Sequence, residues 1–403
     1  MINAKKFFGL FRVPPQKGLV NRSVKKTKAI KTVYLPSMSS VHFFLIAAAF
    51  NAGGFQVRRI AEKHSIDLGL GKRFIEELNE SFDADLIQQI LAQSREEDFD
   101  SSTSAFLIPH WIGGDKACLE PARRVLAVAG VEDVRFIRLS KEDECSAVAE
   151  LKHSDLRRLL FAVVAGDFLL HLSIFTRAHE IITGLSQELT EKWTEILSET
   201  ILTGRLWKAE ELFSEMAEEF LMMPLDQKEK RKIGIASDVL MGFDIQGKRN
   251  LIDEILKSEA EPVLSDLSSS LLEAHSKEAG FDAPYHKKGG LSESSFFALE
   301  KSVEFWKSTA KRVLEEADPT GNILRSRSQE LWQEEYEKTG SCVAGDVANF
   351  RAGDVSKVIF LKTKDETTSG LNGLFPQVQF MALGNSASVD DRKIKDCVQA
   401  LIA

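Results

Sequence analysis

The sequence predicts an α/β protein: two Rossmann-like parallel-sheet domains with a helical segment between them. Three observations lead there. Short β-branched or aromatic runs alternate with helical stretches over residues 32–140. Residues 141–230 change to apolar positions at spacings of three and four with charges between them. Strand and helix signals then alternate again from 231 to 403, and a 403-residue chain exceeds the size at which a single core stops growing.

Each element has a local cause. Thr32 to Leu35 is a strand ended by Pro36, followed by an apolar helix from Val41 to Ala52 that stops at Gly53 and Gly54. Phe55 to Ile60 reads as a second strand, Lys72 to Gln93 as a helix, and Ala105 to Ile108 as a strand ended by Pro109. A glycine-bearing loop, His110 to Asp115, leads into a helix from Leu119 to Ala129, and Val134 to Leu139 reads as strand. The helical region comprises Leu156 to Leu172, Leu185 to Leu202 and Leu206 to Met223. Beyond it come a strand at Lys232 to Leu240, a helix at Lys248 to Lys257 and a strand at Pro262 to Leu264. Helices at Ser294 to Glu316 and Ile323 to Lys338, strands at Lys357 to Leu361 and Val378 to Leu383, and a helix at Asp390 to Ile402 complete the chain. No solenoid-length repeat is visible.

Composition narrows the function classes. Hydrophobic residues at 43% and charged residues at 28% fit a globular protein. The longest apolar run, Val41 to Phe50, is half the roughly 20 residues that a membrane span requires. A net charge of -8 argues against nucleic acid as a partner. Cys118, Cys145, Cys342 and Cys397 form no C-x-x-C pair, so reduced structural thiols and a cytoplasmic location are expected. Residues 1–31 stand apart, with nine basic residues, no acid, and Phe7, Phe8, Leu10 and Phe11 among them. They read either as a solvated tail or as a segment that docks on an acidic or membrane surface.

Tyr34-Leu35-Pro36-Ser37-Met38-Ser39-Ser40-Val41-His42-Phe43-Phe44, continued through Ala47 to Phe50, Gly54 to Val57 and Leu68-Gly69, resembles the opening of the activase-associated domain of the 2-hydroxyacyl-CoA dehydratase and benzoyl-CoA reductase group. Phe106-Leu107-Ile108-Pro109, Gly130 to Val134, Ala165-Gly166-Asp167, Thr176-Arg177-Ala178-His179-Glu180 and Ile233 to Val239 are similar to later family segments. The family implies an iron–sulfur cluster, ATP-driven electron transfer and an acyl-CoA substrate. This chain departs from it at each cysteine motif. Arg73-Phe74 follows Gly71-Lys72, Asp115 stands where a ligand cysteine belongs, and Val358 to Lys362 runs on without one. The family's ATP-binding domain has no counterpart here either.

In parallel sheets, ligands bind beyond the carboxyl ends of the strands, which directs attention to the loops 36–40, 109–115, 237–247 and 362–373. Candidate ligand-loop residues are Ser37, Ser39, Ser40, His42, His110, Gly113, Gly114, Asp115 and Asp238. The serines suit a helix cap or an anion held by backbone amides. His42 suits either acid–base work or a satisfied core position, and His110 with Asp115 could form a polar pair that lacks a visible nucleophile. No cofactor is expected, because a cluster needs several convergent thiolates. The expected function is a non-catalytic accessory or interaction protein with a protein partner. The alternatives are an acyl-CoA enzyme, cluster-free or with ligands from a partner, and a membrane-surface adaptor.

Overall fold

In the computed structural model the described residues are 29–36, 38–60, 84–108, 127, 134–137, 151–237, 245–268, 293–317, 347, 350, 355–361, 375–383 and 391–402. Among them are two parallel four-stranded sheets. The first contains β1 (Thr32–Leu35), β2 (Gln56–Arg59), β3 (Ser104–Leu107) and β4 (Arg135–Ile137), in the order β2-β1-β3-β4. The second contains β5 (Lys232–Ser237), β6 (Glu261–Leu264), β7 (Lys357–Leu361) and β8 (Gln379–Leu383), in the order β6-β5-β7-β8. All pairs are parallel, so each crossover needs a connecting segment, and the two sheets share one topology.

Period-two alternation sorts the first sheet's side chains. Val33, Leu35, Ala105, Leu107 and Ile137 point into a core shared with helices. On the opposite face Tyr34 stacks on Phe106 at 5.1 Å, and Phe99 lies 5.8 Å from Phe106. Burial pushes the Tyr34 hydroxyl above its ordinary pKa, partly opposed by the nearby Arg58 guanidinium. In the second sheet, Ile233, Ile235 and Ile359 face α6 (Ile245–Lys257) and α8 (Asp391–Ile402), while Ala236, Val358 and Phe360 face Phe350 and Phe375. Gly234 permits that second face to close: a Cβ there would sit 2.7 Å from the Phe350 ring.

The remaining described helices are α1 (Ser40–Ala52), α2 (Ala84–Ser94), α3 (His153–His179), α4 (Leu185–Thr203), α5 (Ala209–Leu221) and α7 (Glu293–Ala317). Leu206–Lys208 forms a 3-10 turn between α4 and α5. Five of these helices, α1, α3, α4, α5 and α7, share one core with the first sheet, organised round Phe161, Phe168, Phe213 and Trp306. Although α7 falls in the 231–403 stretch, its Val303, Trp306, Ala310, Val313 and Leu314 belong to that core.

One sequence expectation needs correcting. An 18-residue window of α3 has a mean hydropathy of 2.0, so this helix, and not Val41 to Phe50, is the apolar segment long enough to cross a membrane. Asp167 and His171 interrupt it, which hid it from a search for unbroken apolar runs. Since 78% of that window is buried inside the fold, α3 serves as a core helix. The expected helix at 323–338 and most of 119–129 lie outside the described residues. Of the expected helix at 72–93, the described part begins at Ala84.

Candidate functional site

The first sheet reverses its strand order between β1 and β3, so the loop leaving β1 lies at the switch point. That loop ends at Ser39, the N-cap of α1, whose Oγ accepts from the His42 backbone N–H at 3.1 Å. The Ser39 hydroxyl also lies 3.0 Å from His42 Nδ1. His42 Nε2 faces the Val163 carbonyl and Asp167 Oδ1, both at 3.3 Å. Carbonyl and carboxylate only accept, so the ring proton belongs on Nε2, and Nδ1 accepts from the Ser39 hydroxyl. A neutral imidazole satisfies every one of these contacts.

Asp167 extends the network. Its Oδ1 accepts from the Leu267 backbone N–H at 3.1 Å and its Oδ2 from that of Ser268 at 2.7 Å. His42 is 5% exposed and Asp167 6%, so both are bonded and shut away from water. Gly166 makes the approach of α1 and α3 possible, because a Cβ there would lie 2.5 Å from His42 Cδ2. Serine, histidine and aspartate are thus assembled in a row. The hydroxyl of the half-buried Ser39 caps the helix and contacts the ring, and both ring nitrogens have partners.

Two further pairs sit on the same helix. His171 Nε2 lies 2.6 Å from Asp266 Oδ1, and His179 Nε2 lies 3.2 Å from Glu261 Oε2. His179 Nδ1 faces the Asp226 carbonyl at 3.1 Å. Positions 167, 171 and 179 recur at helical spacings of four and eight, so one stripe of α3 meets β6 and the segment after it. The stripe ends in the Thr176-to-Glu180 motif, each polar member of which is committed to structure. The Thr176 hydroxyl donates to Leu172 O at 2.8 Å, and Arg177 donates to Asp253 at 2.8 Å. The Glu180 carboxylate accepts from Gly184 N, Ser186 N and Ser186 Oγ, capping α4.

Of the residues expected from sequence, Ser39, Ser40 and His42 are described, and only Ser39 and His42 are brought together with Asp167. Ser40 is exposed in the first turn of α1. Ser37, His110, Gly113, Gly114, Asp115 and Asp238 lie outside the described residues. Sequence reasoning missed His171, His179, Glu261 and Asp266 as members of one seam. The available signal was polar residues at multiples of four in an otherwise apolar helix.

Cys118, Cys145 and Cys342, and the positions at 71–75, 115 and 362 where the family resemblance would place cluster ligands, lie outside the described residues. Among the described residues no group of three or more His, Cys, Asp or Glu is arranged to hold a metal. Cys397 is buried in the core between α8 and the second sheet, 3.8 Å from Met381 Sδ, and burial pushes its thiol up to about 11. Such a thiol is the opposite of a ready thiolate ligand.

No protein-family model and no curated protein matches the chain. A solved structure of the SBP FpvC from Pseudomonas aeruginosa in complex with Mn2+ aligns over 93% of this chain and 98% of its own, at 8% identity. Its TM-score is 0.22, too low to relate the two folds.

Proposed function

We propose that this chain is a non-catalytic accessory or interaction protein, built on an α/β frame of the 2-hydroxyacyl-CoA dehydratase kind that has given up its cluster cysteines. One observation carries the reading: the titratable groups at the carboxyl end of β1 are spent on holding the frame. His42 and Asp167 tie α1 to α3 and α3 to the backbone at 267–268 through bonds that engage the imidazole and both carboxylate oxygens. The motif at 176–180, which resembles a family signature, is likewise consumed in capping and cross-linking. A fold can keep its architecture after its chemistry is lost. In this reading the α/β frame presents surfaces to a protein partner in a reducing, cytoplasmic setting.

The test is thermal unfolding of the purified protein against a panel of CoA thioesters. Ligands that bind only the native state raise the melting temperature with concentration. The proposal expects no saturable shift with any of them. A saturable shift with one thioester, absent with free CoA, would overturn this reading in favour of an acyl-CoA site.

A further inference from the structure

Charge is unevenly divided along this chain. Residues 1–31 carry nine basic residues and no acid, against a whole-chain net charge of -8. The hairpin of α4 and α5, residues 185–221, carries nine glutamates against Lys192, Arg205 and Lys208, a net charge of -6. Lys192, Lys208 and Arg312 already pair with Glu219, Glu211 and Glu210. Glu188, Glu195 and Glu199 on α4, and Glu215 and Glu218 on α5, are exposed and have no cationic partner among the described residues. The turn of this acidic hairpin exposes two large apolar side chains, Leu202 at 47% and Trp207 at 75%.

The position of the chain's first described residues matters as much as the charge. Lys31 O accepts from Gln56 N at 2.7 Å, at the amino end of β1. Gly53 lies three residues before Gln56, and a Cβ on it would be 3.1 Å from the Asp155 carboxyl carbon. Asp155 pairs with Arg158 at 3.2 Å, and the Arg158 guanidinium lies over Gly204, 3.0 Å from where a Cβ would be. These contacts lead without a break from Lys31 to the turn that holds Leu202 and Trp207. The preceding segment therefore joins the fold at the end where the apolar pair is exposed. From Val13 to Ala29 the chain can span up to about 55 Å when extended.

We propose that residues 1–28 dock in cis on the α4–α5 hairpin, with Phe7, Phe8 and Phe11 over Leu202 and Trp207 and the flanking basic side chains against the unpaired glutamates. Tethering supplies the segment at a millimolar-scale effective concentration, so weak contacts suffice. Exposed charge pairs are screened by salt, so docking loosens as ionic strength rises. This inference is independent of whether the protein is catalytic. It assigns the basic segment an acidic surface on its own chain, which a competing acidic partner would have to displace.

The test uses the full chain. Equal amounts of 14N- and 15N-labelled protein are mixed and treated with a zero-length carboxyl-to-amine cross-linker, and linked peptides are mapped by mass spectrometry. Docking in cis predicts links from Lys5, Lys6 or Lys17 to Glu195, Glu199, Glu215 or Glu218 within chains of one isotope. It also predicts at least a several-fold loss of these links at high salt and in an E195K/E199K variant that melts like the wild type. Links that join heavy to light chains, links that map elsewhere, or their absence overturns the proposal. So does flotation of the full chain with phosphatidylserine-containing vesicles while the hairpin links persist unchanged, because the segment cannot occupy both surfaces.

Discussion

Gly166 and His42 meet where a single added carbon is too much. A Gly166→Ala substitution puts Cβ 2.5 Å from the ring, and overpacking of this kind costs about 1–3 kcal/mol. In a double-mutant cycle His42→Ala should relieve most of that cost, measured by urea unfolding; simple additivity would show that the contact is not what opposes the methyl group. Asp167→Ala strands one buried and one half-buried backbone donor and removes one of the two acceptors that face His42 Nε2, with an expected loss of about 3 kcal/mol. Asp167→Asn, which keeps one carbonyl oxygen, should lose less. Cys397 supplies a pH dependence. Its folded-state pKa of about 11 stands above the ordinary thiol value of 9.0, so the folded state prefers the neutral thiol. That contribution is intact below pH 9.0 and is lost as pH rises toward 11. Equilibrium unfolding from pH 8 to 11 should therefore show a decline that Cys397→Ala flattens, and an unchanged slope in the variant would assign the decline to other groups.

Element boundaries show which signals in the sequence were physical and which were incomplete. Thr32–Leu35 and Lys357–Leu361 form the expected strands because β-branched and aromatic runs met a proline or glycine boundary or a change of composition. The helix expected at 41–52 begins one residue earlier, where Ser39 supplies the cap. For α3 the periodicity gave a helix from Leu156 to Leu172, while the observed helix runs from His153 to His179. Its last two turns are polar on the side that meets β6, a pairing between residues some 80 to 100 positions apart that no local pattern encodes. One element carries avoidable strain: Glu259, between α6 and β6, has φ of 56° and is exposed. Left-handed backbone costs a non-glycine residue about 1–2 kcal/mol, so Glu259→Gly should raise the melting temperature or leave it level. A clear drop would mean that the Glu259 side chain makes a compensating contact.

For the whole molecule, topology was more legible than chemistry. Repeated strand–helix alternation is enough to foresee two parallel sheets, because parallel strands demand crossovers and short apolar strands demand helices to cover them. Whether His42 would be a base or a structural residue was not legible, since the answer lies in Val163 and Asp167 on a helix more than 120 positions away. The proposed reading is that buried polar groups such as His42 and Asp167 hold the fold together and that the chain binds no iron–sulfur cluster. Iron and acid-labile sulfide determined on protein purified anaerobically from iron-replete cells test it most directly. Colourless protein with substoichiometric iron and no matching sulfide is expected, and brown protein with stoichiometric iron and sulfide would overturn the reading.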